Sequence, residues 1–170
     1  MQAAADRYDG RLRSDLTLGG CAAGDGAGNP FGDVECGQWY SRSMSSWSLL
    51  TALQGGTYNG ADQSIGFAPQ WQPGNHQSFF TAGTAYGTFS QHTSPTLQTD
   101  SMKLVSGSLT LREIHLTIPA GGVTSVAAWV GGNKITISKA VVSGTSLTVM
   151  IPPTTVQKGP TLKIQLGLGK

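Results

Sequence analysis

Ser108–Ile118 reads SLTLREIHLTI, and the spacing of its apolar residues decides what kind of fold to expect. Leu109 and Leu111 stand two apart, and so do Ile114, Leu116 and Ile118. A period of two puts each set on one face of an extended strand. The two sets are out of step by one residue at Arg112–Glu113, so a β-bulge is expected there to return both to one face.

The same texture extends in both directions. From Thr57 onward, short strands are expected at 57–59, 64–68, 77–81 and 87–91. Further strands are expected at 102–105, 108–118, 125–130, 134–142, 146–151 and 161–166. Between them lie the turn signals YNGAD, QPGN, PAGG, GGNK and VSGT, where Gly, Asn and Pro supply the backbone angles that strands do not use. GGNK, between VAAWV and ITISKAVV, predicts a tight hairpin. The 24 glycines among 170 residues also favour strands and turns over a helical bundle. An antiparallel sandwich fits this tail.

Upstream of Thr57 the period changes. Cys36, Tyr40, Met44, Trp47 and Leu50 recur at spacings of three and four, the stripe of an amphipathic helix. Asn29–Pro30 has the form of an N-cap followed by a first-turn proline, and Asp33 and Glu35 favour the positive end of the helix dipole. Trp39, Ser43 and Ser46 widen the face, and Gly55–Gly56 closes the element. One helix is expected from about Pro30 to Leu53. Before it, the tract LGGCAAGDGAGN has almost nothing to bury and predicts a flexible loop. The fold expected is therefore α+β and mainly β: one long N-terminal helix, then an antiparallel β-sandwich-like region. The helical segment covers 1–56, with the glycine-rich loop at 14–28 inside it, and the β-rich region covers 57–170.

Composition excludes several function classes. A net charge of +2, with no basic stripe, argues against nucleic acid. No window reaches the roughly 18 apolar residues of a membrane span. Cys21 and Cys36 are too few to define a disulfide framework and leave the compartment open. His76, His92 and His115 show no metal-ligand spacing, so neither a metal nor another cofactor is expected. The serines lack a GxSxG elbow and the glycine tract lacks a following GK[ST]. A glycosidase needs two carboxyl groups facing each other across a sugar, whereas Asp33 and Glu35, two apart on a helix, diverge. Glu35 and Arg42 share a helix face, but seven residues put them about 10 Å apart, too far for a direct ion pair. Trp71, Phe79, Phe80, Tyr86 and Phe89 form a candidate sugar-stacking platform, although burial is the commoner fate of strand aromatics.

The order of segments carries a further signal. DRYDGR at 6–11, NPFGDVECG at 29–37 and YSRSMSSW at 40–47 are followed by YNG at 58–60, GFAP at 66–69 and SFFTAGTAYGTFSQ at 78–91. Together they resemble the C-terminal end of family 116 glycoside hydrolases, the β-glucosidase and non-lysosomal glucosylceramidase type. The resemblance is strong over residues 5–91 and looser beyond. It implies an (α/α)6 toroid whose nucleophile and acid/base carboxylates lie upstream of this chain, which would supply the toroid's end and a β-rich appendage. It also implies that Asp33 and Arg42 contact the hydroxyls of a glucose, the arginine donating paired hydrogen bonds and the aspartate accepting them. Glu35, Trp39 and His76 complete the candidate substrate-binding set; no catalytic residue is assigned. The expected ligand is a β-glucoside; the chain would act with a second chain carrying the catalytic toroid, associate with another copy of itself, or stand as a remnant of such an enzyme. Two other functions fit the residues: a stand-alone carbohydrate-binding sandwich, and a minimal hydrolase with a newly built site around Asp33, Glu35, Arg42 and His76.

Overall fold

The structure, a computed structural model, describes residues 48–169. The chain divides after Leu49, and the unit considered below begins at Leu50. Residues 48–54 are helical; the expected helix start near Pro30 and the glycine-rich loop lie outside the described residues. The helix stops at Gly55, whose φ of 58° is left-handed. Its last carbonyls do not go unpaired. Leu53 O accepts from Gln70 N at 2.8 Å, and Gln54 O accepts from Ala68 N at 3.1 Å.

The remaining described residues are strand and turn. The strands are β1 (Thr57–Asn59), β2 (Ser64–Phe67), β3 (Asn75–Ala82), β4 (Ala85–Thr93), β5 (Leu97–Ser106) and β6 (Ser108–Thr117). They continue as β7 (Val123–Val130), β8 (Asn133–Ile135), β9 (Lys139–Ser143), β10 (Ser146–Gln157) and β11 (Thr161–Leu168). Five form a sheet in the order β1-β2-β6-β10-β9, and six form another in the order β3-β4-β5-β11-β7-β8. The sheets meet face to face. Phe67 of the five-stranded sheet stacks on Phe89 of the six-stranded one, with centroids 3.9 Å apart, and meets Phe80 edge-on at 5.4 Å. Around these rings, Leu111, Leu116, Leu147 and Val149 from one sheet and Met102, Leu104, Ile164 and Leu166 from the other complete one buried core. The mainly-β class expected from the spacing is the class observed.

The phase change in β6 is also present. Leu109, Leu111, Ile114 and Leu116 are all buried, and the pairing with β10 slips between Met150 and Thr154, opposite Arg112. Pro152 and Pro153 fall in that slip, where a missing N–H costs no ladder bond. The GGNK hairpin forms with Gly131 and Gly132 at φ 57° and 88°, the pair of left-handed angles that matches strand twist.

Two expectations are corrected. The sandwich is not wholly antiparallel, because β2 runs parallel to β6. The expected single strand at 134–142 is instead two, with β8 pairing β7 in one sheet and β9 pairing β10 in the other. Residues 136–138 carry the chain from one sheet to the other.

Candidate functional site

Three regions of the sandwich concentrate polar or aromatic side chains, and the strand register explains each. Along β3, residues His76, Ser78, Phe80 and Ala82 share one phase, and Phe80 fixes it as the inward one. His76 therefore points into the sandwich and is 3% exposed. Its Nδ1 lies 2.9 Å from the Trp71 carbonyl and its Nε2 lies 2.9 Å from Ser78 Oγ. A carbonyl only accepts, so Nδ1 carries a proton. Ser78 Oγ is in turn 3.0 Å from Gln54 Oε1, tying the helix end to β3. Both ring nitrogens of His76 thus serve the packing of helix, loop and sheet, and neither faces solvent.

The register extends this inward row. His76 pairs with Gln91 on β4, Gln91 with Asp100 on β5, and Asp100 with Ile164 on β11. Gln91 and Asp100 are as buried as His76. Gln98, also on β5, donates through Nε2 to Asp100 Oδ2 at 3.0 Å and to the Thr117 carbonyl at 2.9 Å. Burial pushes the Asp100 carboxyl up to about 7, against the lowering pull of the Gln98 bond. These residues were missed in the sequence, though the inward phase of Met102 and Leu104 extends back to them.

The opposite face of the same strands is wet. Phe79 and Tyr86 are 42% and 43% exposed, diagonal neighbours across β3 and β4 with ring centroids 6.1 Å apart. A register slip between Tyr86 and Gly87 lies beside them, a bulge of the kind that re-aims a side chain. From Phe79 the outward row continues across the sheet through Thr88, Lys103 and Thr161. The next runs Gln77, Ser90, Ser101, Lys163 and Trp129. Tyr58 approaches from the other sheet: a Cβ on Gly83, in the β3–β4 turn, would stand 3.0 Å from its hydroxyl. Of the five aromatics expected as a platform, Phe80 and Phe89 belong to the core, whereas Phe79, Tyr86 and Trp71 are exposed.

The third region is a cleft of about 530 Å³ beside the β6 bulge, lined by Asp62, Gln63, Arg112, Glu113 and Met150 among others. Gln63, left-handed at φ 54°, accepts at its carbonyl from Arg112 N and at its side chain from Arg112 Nε, each at 2.9 Å. Asn59 bonds to Asp62, and Glu113 approaches His115 at 4.0 Å. The acids here are thus held by neighbours on their own strands and turn. Among the described residues no group of His, Cys, Asp and Glu is placed to hold a metal, and no helix is long and apolar enough to cross a membrane. Asp33, Glu35, Trp39 and Arg42, the expected sugar contacts of the N-terminal segment, lie outside the described residues.

No family model matches the sequence, and no curated protein matches it. Among solved structures, the chain is similar to the glycoside hydrolase family 30 subfamily 8 xylanase Xyn30A from Clostridium acetobutylicum. The identity is 13%, the TM-score 0.34, and the match covers 55% of this chain and 24% of that one. It is also similar to an α-L-rhamnosidase from Dictyoglumus thermophilum, at 12% identity and a TM-score of 0.37, covering 68% of this chain and 12% of that one. The chain thus spans a quarter or less of either enzyme, and nothing in the matches is specific to family 116. At these TM-scores the likeness carries no argument about what the chain does.

Proposed function

We propose that the chain is a carbohydrate-contacting part of a β-glucosidase-type glycoside hydrolase, and that its sandwich contributes the outer face of β3–β4–β5 as a sugar-stacking surface. The observation that carries this reading is the exposed Phe79–Tyr86 pair, set at the edge of rows of Thr, Ser, Gln and Lys. A pyranose presents a C–H face that packs on an aromatic ring, while its equatorial hydroxyls point sideways. Thr81, Thr88 and Lys103 surround the pair with donors and acceptors for those hydroxyls. The sandwich then binds sugar and leaves bond cleavage to carboxylates carried elsewhere. Asp33 and Arg42 remain the proposed glucose contacts of the N-terminal segment. A partner chain bearing the catalytic toroid remains part of the proposal.

The test is titration calorimetry of the full chain with cellohexaose, with xylohexaose alongside. The intact protein binds the β-glucan oligomer, and the double variant Phe79→Ala/Tyr86→Ala binds it at least about tenfold more weakly, or about 1.4 kcal/mol. Its unfolding midpoint stays unchanged, because both rings are on the surface. Undiminished binding by the double variant, together with loss of binding in Arg42→Ala, would move the sugar contact off the sandwich and onto the N-terminal segment.

A further inference from the structure

Two buried oxygens in the inward row, Gln91 Oε1 and Asp100 Oδ1, have no hydrogen-bond partner among the described residues. A buried acceptor left without a donor is costly, and a buried carboxylate without a cation is costlier. The two residues are paired directly across β4 and β5, a relation that puts side chains of one face within reach of each other. Neither amide can turn to relieve the problem. Gln91 Nε2 donates to the Pro73 carbonyl at 2.8 Å, so turning that side chain would set two acceptors against each other. Gln98 Nε2 is held likewise by the Thr117 carbonyl at 2.9 Å, which leaves Asp100 Oδ2 supplied and Oδ1 not.

Water does not resolve the deficit. The cavity beside Asp100 measures about 10 Å³, at the lower limit for one molecule; Ser101 lines it but belongs to the outward row, and the other walls are Ile65, Phe67, Phe89, Met102 and further apolar side chains. A water there would lack the second and third polar partners it needs. Nor does a cation. Facing Asp100 are Phe89 and Gln91 from β4, Leu162 and Ile164 from β11, and Ile65, Ile114 and Leu116 from the five-stranded sheet. Among the inward residues of these neighbours and of β3, the one titratable group is His76, which stands beyond Gln91 with both its nitrogens already engaged.

One proton satisfies both oxygens. We propose that Asp100 is carried as a neutral carboxylic acid inside the closed sandwich, its Oδ1–H donated to Gln91 Oε1, and that loss of this proton makes the β4–β5 pair a pH-sensitive latch. Once ionised, the carboxylate has no counter-charge among the described residues and no room for hydration, and the strands must part to admit water. The raised carboxyl, near 7 against an ordinary 3.8, agrees in direction with this geometry. In that window the folded state holds a proton that the unfolded chain has released. Stability therefore falls as pH rises from about 4 to about 7, and levels off above. The inference is independent of any carbohydrate reading.

The experiment follows the Asp100 carboxyl carbon by NMR through pH 4 to 9 in the full chain, and measures urea unfolding over the same range for the native protein and Asp100→Asn. Asparagine keeps the shape, donates through its NH2 to Gln91 Oε1 and still accepts from Gln98. The expected result is a carboxyl titrating near neutrality, with an unfolding midpoint that falls with rising pH in the native protein and is markedly flatter in Asp100→Asn. A carboxyl titrating near its ordinary value would overturn the proposal, as would an Asp100→Asn protein that keeps the native slope. The first readout needs only native protein, so a variant that fails to fold does not remove the test.

Discussion

On β3, β4 and β5 the odd and even residues live in different worlds. His76 and Phe80 look into the sandwich while Phe79 looks out, and Phe89 and Gln91 look in while Tyr86 looks out. On the inner face every polar atom needs a protein partner; His76 and Gln98 have theirs, whereas one oxygen each on Gln91 and Asp100 has none among the described residues. On the outer face water meets the same need at no structural cost, so Thr81, Thr88, Ser90 and Lys103 stand beside two aromatic rings without special arrangement. The lesson is that chemical type does not tell the role of a residue on these strands. An aromatic ring is core on one face and a contact surface on the other.

That contrast predicts a graded set of effects. The largest is Phe89→Ala, which removes the ring stacked on Phe67 and should destabilise by about 3–5 kcal/mol in urea unfolding. A loss below about 1 kcal/mol would mean that the two sheets are not joined through these rings. Next comes Asp100→Asn at pH 8. The carboxyl's displacement from 3.8 to about 7 sets an upper bound on the order of 4 kcal/mol for the gain, which should vanish near pH 4. Gly107→Ala follows. Gly107 sits at φ 79° where β5 of one sheet passes directly into β6 of the other. An added Cβ would lie 2.4 Å from the Thr84 carbonyl oxygen, so strain and clash together should lower stability by about 1–3 kcal/mol. The smallest stability effect belongs to Tyr86→Ala, which should stay within about 0.5 kcal/mol. Its effect appears in sugar affinity instead.

Much of the fold is legible in the sequence because the alternation of Leu, Ile and Val is local. The one-residue slip in that alternation at Arg112–Glu113 coincides with a break in the pairing, although the extra residues there belong to β10, and the Gly131–Gly132 turn follows from two residues that tolerate left-handed angles. Which strands become neighbours is not a local property. Nothing within SIGF of β2 says that it will lie parallel to β6, and nothing in KITISKAVV says that the chain changes sheet at 136–138. The polar interior was hidden for a related reason. Gln98 and Asp100 look like the solvated start of a strand, so the expected strand began only at Met102. Their partners, the Thr117 carbonyl and Gln91, come from other strands. His76 shares its phase with Phe80, so its inward direction is legible in the sequence, but its partners, the Trp71 carbonyl and Ser78 Oγ, are fixed by the loop and the strand together.

The most direct measurement is an amide NMR titration of the full chain with cellohexaose. A sugar seated on the outer sheet face shifts amides around Gln77–Thr81, Tyr86–Ser90 and Ser101–Lys103, leaving the Asp62–Arg112 cleft and the inward Asp100 row unmoved. Shifts confined to the cleft, or none anywhere in the sandwich while Arg42→Ala still abolishes binding, would contradict a sugar-stacking role for this surface.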